Sequence, residues 1–430
     1  MSEFVTPSPR PSPSDAGEGE IIATITAAAT AGEPLLVSGN GTKLGMLRPV
    51  QAARRISTAG LTGITLYSPK ELVLSARAGT PLPEIEATLA ASGQHLIAEP
   101  PDLTALLGDT DAPTNGHPQT IAPAQTIAAP QTIGGIVASN LSGPRRIAWG
   151  AMRDHVLGIR AVNGAGEQIH SGGRVLKNVT GLDLCKLLTG SHGTLAVITE
   201  VTLKVLPAPE TTGSLVLPGL DAQAAVAALS AGLGSPYGVS AAAWLPDASL
   251  VPVLTSALGR ATGSATLLRV EDFAPSVAYR TARLRADLAP FGVAELLDDA
   301  TSRALWRAVG NAAPLPATPS DAIWRVSVRP SAGPAVLRAV AAAGVRGFLD
   351  WGGGLVWLAG PADTATHRAV EDAASATRGT WTLLRAPDAL RVAVDVVPRE
   401  AAPLARITRR VKAAFDPRGI LNPGRLYAGL

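Results

Sequence analysis

The stretch from Gln131 to Pro207 decides the fold of this chain: QTIGGIVASNLSGPRRIAWGAMRDHVLGIRAVNGAGEQIHSGGRVLKNVTGLDLCKLLTGSHGTLAVITEVTLKVLP. Apolar residues alternate over Val156–Val162 and Thr194–Val205, which predicts two strands, and Asp183–Leu188 has the pattern of a short helix. Most of the glycines fall between these elements, where a backbone turns sharply or approaches a ligand closely. The stretch therefore predicts the core of a ligand-binding domain that mixes helices and strands.

Composition indicates a folded protein with more than one domain. Of the 430 residues, 46% are apolar and only 17% are charged, so the chain can bury substantial cores. The formal net charge is +3 and aromatic residues make up 4%. Because no stripe of lysine and arginine with interleaved aromatics occurs, the sequence argues against nucleic-acid binding.

Cysteine and histidine usage limits the redox and metal chemistry of the chain. Cys185 is the single cysteine, so an internal disulfide and a cysteine-ligated iron–sulfur cluster are both excluded. The six histidines show no close spacing typical of a local metal motif, and no metal site is predicted. They are His95, His117, His155, His170, His192 and His367.

No apolar run is long enough to predict a membrane span, and no signal peptide is recognised. We therefore expect a cytoplasmic protein. Peripheral attachment at the inner face of the membrane through partner proteins stays open.

The composition divides the chain into four parts. Residues 1–18 are rich in proline and serine and are expected to form a disordered tail. Residues 19–209 form a first domain. Residues 210–395 alternate alanine-rich helices with strands and predict a second α+β domain with helices on one face of a sheet. Arg391–Val397 is predicted as its final strand, and residues 396–430 form a C-terminal segment.

Two loops flank the central stretch. The loop Gly39–Lys43 follows a short apolar strand, and its successive N–H groups could cradle a pyrophosphate, although an ordinary turn would have the same sequence. The tandem repeats QTIAPA, QTIAAP and QTIGG begin at Gln119, Gln125 and Gln131. Their period is too short for a solenoid, so we expect a surface loop at the rim of the site.

Three motifs, in this order, carry a resemblance to a known family. TIGGIVASNLSG, KNVTGLDLCKLLTGSHGTLAVITEVTLKVLP and FDPRGILNPGRLY resemble hallmarks of the vanillyl-alcohol oxidase superfamily, whose flavin domain has the PCMH-type fold. LSGPRR, GAMRDHVLGIRAVNGAGE, LTGITLYSPKELVLSARAGTPLPEIE and DWGGGLVWL are similar to the family of flavin-binding E subunits of bacterial glycolate oxidases. The similarity runs from about residue 20 to the C-terminus.

The resemblance implies an α+β protein with a two-part PCMH-type FAD-binding domain, residues 19–209 and 396–430. An α+β cap domain, residues 210–395, is inserted between the two parts. The family pattern implies that FAD is bound through the glycine loop, the Gly134–Ala138 region and the segments around them. In chain order the implied residues are Ser38, Gly39, Asn40, Gly41, Thr42, Lys43, Gly134, Gly135, Ala138, Ser142, Gly143, Gly193, Thr194, Ile198 and Asn422.

Departures from the family pattern refine these expectations. Flavinylated relatives carry a histidine in the first glycine loop, where this chain has Asn40, so FAD is expected to be held non-covalently. Leu182 and His192 replace residues common in relatives and would alter the pocket near the flavin ring. His192 is the candidate catalytic residue, whereas Arg145 and Arg146 could equally bind an anion or form salt bridges.

The function implied is that of an FAD-binding subunit of a glycolate oxidase complex, which oxidises glycolate, a 2-hydroxy acid, to glyoxylate with electron transfer through flavin. Its expected partners are a catalytic flavoprotein subunit and an iron–sulfur subunit, since this chain has no cysteine ligands for a cluster. Two alternatives stay open: a self-sufficient FAD-dependent dehydrogenase of glycolate or D-lactate, and a structural subunit without flavin.

Overall fold

The computed structural model describes residues 15–107, 130–173, 182–259 and 263–430. The helices are α1 (Asp15–Ala31), α2 (Leu82–Ala90), α3 (Thr104–Leu107), α4 (Ile133–Ser139), α5 (Arg146–Trp149), α6 (Leu184–Leu188), α7 (Ala222–Leu233), α8 (Pro252–Leu258), α9 (Ala274–Asp287), α10 (Asp299–Gly310), α11 (Gly333–Val340), α12 (Thr364–Ala376), α13 (Asp388–Ala393) and α14 (Ala402–Phe415). The strands are β1 (Leu35–Ser38), β2 (Arg54–Ser57), β3 (Ile64–Ser68), β4 (Val73–Arg77), β5 (Gln94–His95), β6 (Val156–Asn163), β7 (Gln168–Gly172), β8 (Ala196–Lys204), β9 (Leu206–Pro207), β10 (Thr211–Pro218), β11 (Val239–Leu245), β12 (Ala265–Asp272), β13 (Glu295–Leu297), β14 (Ala322–Ser327), β15 (Arg346–Asp350), β16 (Leu355–Gly360) and β17 (Thr380–Arg385).

A five-stranded antiparallel sheet forms the centre of the N-terminal half, in the order β3-β4-β8-β6-β7. The two strands predicted from the central stretch, β6 and β8, lie side by side in it, with Ile159 opposite Val201. Residues from α2 and α4 pack with its strands in one buried apolar cluster. Helix α6 begins after Asp183, whose carboxylate accepts a hydrogen bond from the backbone N–H of Lys186, as the sequence pattern predicts.

A small parallel pair, β1 and β2, lies beside this sheet and receives the C-terminal segment. The backbone N–H of Leu35 donates to the carbonyl of Ile420 (2.7 Å), and the N–H of Asn422 donates to the carbonyl of Leu35 (3.0 Å). The last residues of the chain thus return to the N-terminal half. This contact places Asn422 next to the glycine loop that follows β1.

An eight-stranded antiparallel sheet follows, in the order β13-β10-β12-β11-β15-β16-β14-β17. The expectation that its helices share one face is wrong. A Cβ on Gly213 would meet Val277 of α9, whereas the hydroxyl of the next residue, Ser214, accepts a hydrogen bond from Trp306 of α10. Because neighbouring strand residues point to opposite faces, α9 and α10 lie on opposite sides of β10.

The predicted final strand over Arg391–Val397 is also wrong. Helix α13 covers its first residues, begins after Pro387, and ends at Ala393. The buried guanidinium of Arg391 donates to the carbonyls of Gly45 and Leu47 (3.1 and 3.0 Å), a contact that the helical conformation permits. The apolar alternation in this short segment therefore does not decide its structure.

The predicted disordered tail, residues 1–18, is wrong for its last four residues. Residues 1–14 lie outside the described ranges, but residues 15–18 already belong to α1. Glu18 is buried, and its carboxylate accepts hydrogen bonds from Thr199 (2.6 Å) and Arg160 (2.7 Å). The repeats at Gln119 and Gln125 also lie outside the described residues. The division into domains at 209/210 and 395/396 stays a prediction.

Candidate functional site

A cavity opens where β1, α4 and β8 converge. We call it the glycine-loop cavity. The lining residues are Leu36, Val37, Ser38, Gly39, Asn40, Gly41, Thr42, Lys43, Leu44, Thr58, Thr132, Gly134, Gly135, Ala138, Ser139, His192, Gly193, Ala196, Val197, Ile198, Asn422 and Arg425.

The loop Gly39–Lys43 presents a run of free backbone donors to this cavity. Among the described residues, no acceptor is hydrogen-bonded to the backbone N–H groups of these five residues. Buried or half-buried N–H groups are almost always paired with protein, water or ligand. A run of them after a strand forms a concave nest that binds anions such as phosphate.

The loop is held in this conformation by its carbonyls and side chains. Arg55 donates to the hydroxyl of Ser38 (2.8 Å), and the hydroxyl of Ser57 donates to the carbonyl of Gly39 (3.2 Å). At the other end, the buried Arg425 donates to the carbonyl of Lys43 (2.7 Å). These contacts occupy the carbonyls of Gly39 and Lys43, whereas the backbone N–H groups of the loop stay available to a ligand.

Helix α4 approaches the loop so closely that only glycine fits at the contact. A Cβ on Gly39 would lie 2.4 Å from the hydroxyl oxygen of Thr132, the N-cap residue of α4. The same hydroxyl accepts a hydrogen bond from the N–H of Gly135 (3.3 Å). A Cβ on Gly134 would lie 2.8 Å from the carbonyl oxygen of Ala78 in the neighbouring segment. Gly134 is thus required by close backbone packing, and Gly39 by the side chain of Thr132.

The turn at residues 190–193 forms the opposite wall. Asn422 donates from its amide to the carbonyl of His192 (2.8 Å) and accepts from the N–H of Val37 (2.7 Å), so it ties the turn to β1. Gly193 has φ +71°, and a Cβ there would lie 2.9 Å from the amide nitrogen of Asn422. The C-terminal segment therefore completes the site.

The cavity is electropositive. Burial lowers the pKa of the Lys43 ammonium to about 8, an effect that Asp102 partly offsets, so the group is still largely protonated at neutral pH. Burial and the charge of Arg391 lower the pKa of Arg425 to about 9, which also leaves it charged. Burial and the charges of Arg425 and Lys43 lower the pKa of His192 to about 3. The imidazole of His192 is therefore neutral, and it is a poor general base at neutral pH.

Most residues expected at the site line this cavity. They are Ser38, Gly39, Asn40, Gly41, Thr42, Lys43, Gly134, Gly135, Ala138, Ile198, Gly193, Asn422 and the candidate catalytic residue His192. Their contacts with a cofactor stay a prediction.

Three expected residues lie elsewhere. The hydroxyl of Ser142 accepts from the N–H of Met152 (2.8 Å), and Gly143 packs against the carbonyl of Glu99. The hydroxyl of Thr194 donates to the carbonyl of Ser191 (2.7 Å), which faces away from the glycine-loop cavity. Leu182, expected near the ring, is 83% exposed and does not line the cavity.

Sequence reasoning missed four polar residues of the cavity, Thr58, Thr132, Ser139 and Arg425. Two of them, Thr132 and Arg425, hold the glycine loop or its neighbour α4. The first had a detectable signal, because a threonine directly before an apolar helical segment is typical of an N-cap. Arg425 belongs to the NPGR motif that also carries Asn422, but nothing in that motif indicates that its side chain reaches the carbonyls of the glycine loop.

The adjacent arginines Arg145 and Arg146 have different environments. Arg145 forms an ion pair with Glu271 (2.6 Å) and approaches Glu99 (3.6 Å), so its charge is paired within the chain. The guanidinium of Arg146 instead lies over the ring of Trp351, 4.6 Å from its centroid.

Comparison with known proteins identifies the class. Residues 105–172 match a family model described as an FAD binding domain, and residues 394–426 match the C-terminal domain of FAD linked oxidases. The fold is similar to 4-ethylphenol oxidase from Gulosibacter chungangensis, with a TM-score of 0.67 at 13% identity over 96% of this chain and 88% of that chain. An alkyldihydroxyacetonephosphate synthase gives 0.64 at 16% identity over 94% and 74%. The protein is therefore an FAD-linked oxidoreductase with the expected PCMH-type α+β fold.

Within this class, one relative is similar in sequence over nearly the whole length of both chains. Over 400 residues the chain is 33% identical to glycolate oxidase subunit GlcE of Escherichia coli (strain K12), spanning 92% of this chain and 93% of that protein. A D-lactate dehydrogenase of Archaeoglobus fulgidus is 31% identical over 43% of this chain and 36% of its own length. The chain belongs to the family of glycolate oxidase subunit GlcE.

The residues of the glycine-loop cavity fit an FAD cofactor. The unpaired N–H run supplies donors for a pyrophosphate, Lys43 and Arg425 supply positive charge, and the apolar side chains of β1 and β8 supply a surface for a ring. Within the described ranges, no group of three or more potential ligand side chains is arranged to hold a metal ion. Nor does any helix in those ranges have the length and apolar character needed to cross a membrane.

Proposed function

We propose that this chain is the FAD-binding, E-type subunit of a multi-subunit glycolate oxidase that converts glycolate to glyoxylate. The observation that carries the proposal is the run of unpaired backbone donors from Gly39 to Lys43 inside an electropositive cavity. Its substrate class is supported by the similarity to GlcE over nearly the whole length of both chains.

The chain's own residues would bind and orient the cofactor. The N–H groups of Gly39–Lys43 would donate to its pyrophosphate, and the ammonium of Lys43 would add charge from the side of Gln131, to which it already donates (2.9 Å). Bound FAD supplies the acceptor for the hydride from the CH–OH carbon. His192 would contribute a neutral imidazole at the edge of the ring, as a hydrogen-bond partner for a substrate or for the flavin.

FAD would be held without a covalent bond. Asn40, which stands where flavinylated relatives carry histidine, donates from its amide to the carbonyl of Pro130 (2.7 Å) and offers no nucleophile. The thiol of Cys185 is buried and donates to the carbonyl of Ser171 (3.4 Å), and it does not line the cavity. Acid precipitation of the protein should therefore leave the flavin in the supernatant.

Electrons would leave through partner chains. The single cysteine of this sequence cannot ligate a cluster, so we propose that an iron–sulfur subunit accepts them and that a second flavoprotein subunit shares the complex. We place the complex in the cytoplasm, with any attachment to the inner face of the membrane made through those partners.

The test is the visible spectrum of the purified full-length chain, before and after anaerobic addition of glycolate, D-lactate or the neutral analogue glycolamide. A flavin spectrum is expected. Bleaching by glycolate, but not by glycolamide, would make this chain the catalyst, and a stable spectrum would make it a relay whose partner oxidises the substrate. A colourless protein that takes up no added FAD would overturn the proposal.

A further inference from the structure

A groove with apolar walls lies beside helix α14. Helix α6 and the turn after it form one wall, α14 forms the second, and the residues that follow Asn422 form the third. We call it the α14 groove. Its apolar lining residues are Leu187, Leu195, Ile407, Val411, Leu426 and Leu430. The side chain of Ile407 is 57% exposed, so the described residues leave this part of the groove uncovered.

Helix α14 has an apolar side that packs only in part against the rest of the chain. Leu404, Ile407 and Val411 are three and four residues apart, so they share one side of the helix. Leu404 and Ile407 are exposed and Val411 is half-buried. Such a side normally faces a core, but of the residues in α14 Lys412 alone is buried. A row of exposed apolar side chains next to a groove is typical of a surface that binds another protein.

The α14 groove lies back to back with the glycine-loop cavity. The turn at residues 191–194 separates them, since Ser191 and Thr194 line the groove whereas His192 and Gly193 line the cavity. The ammonium of Lys412 fixes this turn by donating to the carbonyl of Thr194 (2.7 Å). A protein bound in the groove would therefore lie one turn of backbone away from the proposed FAD site.

The wall of the groove contains a polar group without a partner. The side chain of Ser191 is buried, and its hydroxyl forms no hydrogen bond with any of the residues that the structure describes. Buried hydroxyl groups are usually paired. Because Ser191 lines the groove, its hydroxyl is available to a polar atom of a bound segment.

Positive charge lies along the same helix. Arg406, Arg409 and Arg410 are exposed, and within the described ranges their side chains form no ion pair and no hydrogen bond. Arg410 is three residues from Ile407, which places it at the edge of the groove. The carboxylate of Glu400 is already engaged, since it accepts a hydrogen bond from the hydroxyl of Thr408 (2.8 Å). The groove thus combines apolar walls with an unpaired basic flank.

We propose that the α14 groove is the docking site for an acidic amphipathic helix of a partner subunit in the proposed complex. The apolar side of such a helix would fill the groove, as in other helix-in-groove interfaces. Its carboxylates would pair with the arginines of α14, because complementary charge steers and selects a partner. The inference rests on the proposed function for the existence of a partner subunit, and it adds the surface and the chemistry that recognise it.

The shape and charge of the groove favour this occupant over two others. In a symmetric dimer the same patch faces itself, so a second copy of this chain would bring Arg406, Arg409 and Arg410 close to their own counterparts. A lipid surface is bound by a helix whose apolar side protrudes into it, and it does not fill a groove between elements. A segment of a different, acidic protein meets neither obstacle.

The experiment measures binding of the purified full-length chain, supplied with FAD, to two probes. The probes are the purified flavoprotein and iron–sulfur subunits of the glycolate oxidase of the same organism, each titrated separately by biolayer interferometry. One of them is expected to bind. Its affinity should fall as the salt concentration rises, because exposed charge pairs are screened by salt.

Two variants test the two components of the surface. Ile407→Gln removes an apolar contact, and Arg410→Glu reverses the charge at the edge of the groove. Each is expected to weaken subunit binding by about tenfold or more. Because both side chains are exposed, the flavin spectrum and the urea unfolding curve should stay unchanged. The matched controls are Val293→Gln and Arg338→Glu, at exposed positions outside the groove, and they should leave binding unchanged.

The outcomes separate this inference from the proposed function. Failure of both subunits to bind, or equal affinities of the wild type and the groove variants, overturns the docking site even if the chain is yellow. Binding that the groove variants weaken and the controls preserve supports the site even if the chain is colourless. Binding that is independent of salt would overturn the acidic chemistry of the partner.

The same variants detect the other occupants. A dimer of this chain that light scattering shows to be lost in Ile407→Gln would assign the groove to a second copy. Binding to phosphatidylglycerol vesicles that is lost in Ile407→Gln would assign it to a lipid surface. Either result would overturn the proposal.

Discussion

At the scale of single residues, the site depends on glycines that no other residue can replace. Gly193 combines a positive φ with close contacts, since an added Cβ would lie 2.9 Å from the amide of Asn422 and 3.3 Å from Val37. Gly424 has nearly the same φ, +72° against +71°, but a Cβ added there would have nothing within 4 Å. Comparing alanine variants at Gly193 and Gly424 therefore separates the cost of the left-handed backbone conformation from the cost of the steric clash.

We expect Gly193→Ala to destabilise the protein by about 2–3 kcal/mol and to weaken FAD binding, while Gly424→Ala costs about 1 kcal/mol from the left-handed conformation alone. Urea unfolding gives the free energies, and titration of the apoprotein with FAD gives the affinities. Equal losses of stability in both variants, with unchanged FAD affinity, would show that the contact with Asn422 is unimportant.

At the scale of elements, helix α14 is held against the rest of the chain by the polar contacts of one buried lysine. Of its residues Ala402–Phe415, Lys412 is the buried one. Its ammonium donates to the carboxylate of Asp416 (2.7 Å) and to the carbonyls of Thr194 (2.7 Å) and Leu421 (2.9 Å). Asp416 in turn accepts from the N–H of Leu421 (2.8 Å). The helix thereby fixes the start of the segment that carries Asn422.

Replacing Lys412 by methionine leaves a buried carboxylate and two carbonyls without their donor. We expect Lys412→Met to lower the free energy of unfolding by about 3–5 kcal/mol, as for other buried pairs that lose one partner. Arg409→Met, on the exposed face of the same helix, should change it by at most about 0.5 kcal/mol. Chemical denaturation measures both, and a loss below about 1 kcal/mol for Lys412→Met would contradict a structural role for this network.

At the scale of the whole molecule, a buried network of two arginines and two glutamates joins the N-terminal half to the eight-stranded sheet. Arg269 and Glu271 lie on β12, and Glu99 and Arg145 lie in loops of the other half. Arg269 binds both oxygens of Glu99, and Arg145 donates to Glu271 (2.6 Å). The two positive and two negative charges of this network balance.

We expect Glu99→Gln to destabilise the protein by about 3–5 kcal/mol, because it leaves the two guanidiniums of Arg145 and Arg269 with the single carboxylate of Glu271. The control Glu33→Gln breaks an exposed pair with Arg54, whose side chain is 48% exposed, and should cost about 1 kcal/mol or less. Thermal or urea unfolding at neutral pH measures the difference. Equal effects of the two variants would contradict a role of the network in joining the sheets.

The stability of the variants Glu99→Gln and Glu33→Gln should depend differently on pH. Burial alone would raise the pKa of Glu271, but Arg269 and the hydrogen bond from Arg145 outweigh it and lower the pKa from 4.5 to about 2. The pKa of Glu99 is lowered for the same reason, mainly by Arg269. A lowered carboxyl pKa contributes stability that is complete above about pH 4.5 and is lost as the pH falls towards about 2. Because the pKa of Glu99 is itself lowered, the difference in stability between wild type and Glu99→Gln should narrow as the pH falls below about 4.5.

The sequence by itself determined the features whose chemistry is local. The glycine loop was recognised as a candidate anion-binding loop from its own sequence, and the glycine pair of α4, the turn before β8 and the NPG of Asn422 were predicted from the resemblance to a known family. The α+β class and the strands β6 and β8 were predicted from apolar alternation, and the comparisons confirm the PCMH-type fold and FAD. The same alternation failed at Arg391–Val397, where a short segment fits a helix as well as a strand.

Only the tertiary structure decided which distant residues meet. Arg146 and Arg325 lie far apart in the sequence and share one tryptophan ring, and Glu99 and Arg269 are separated by 170 positions and share a salt bridge. Nothing in the local pattern around these residues distinguishes a paired arginine from an unpaired one, since burial and charge balance depend on what packs against them. That is the physical reason why the residues of the glycine-loop cavity could be predicted from motifs, whereas the salt bridge between Glu99 and Arg269 could be found only in the folded chain.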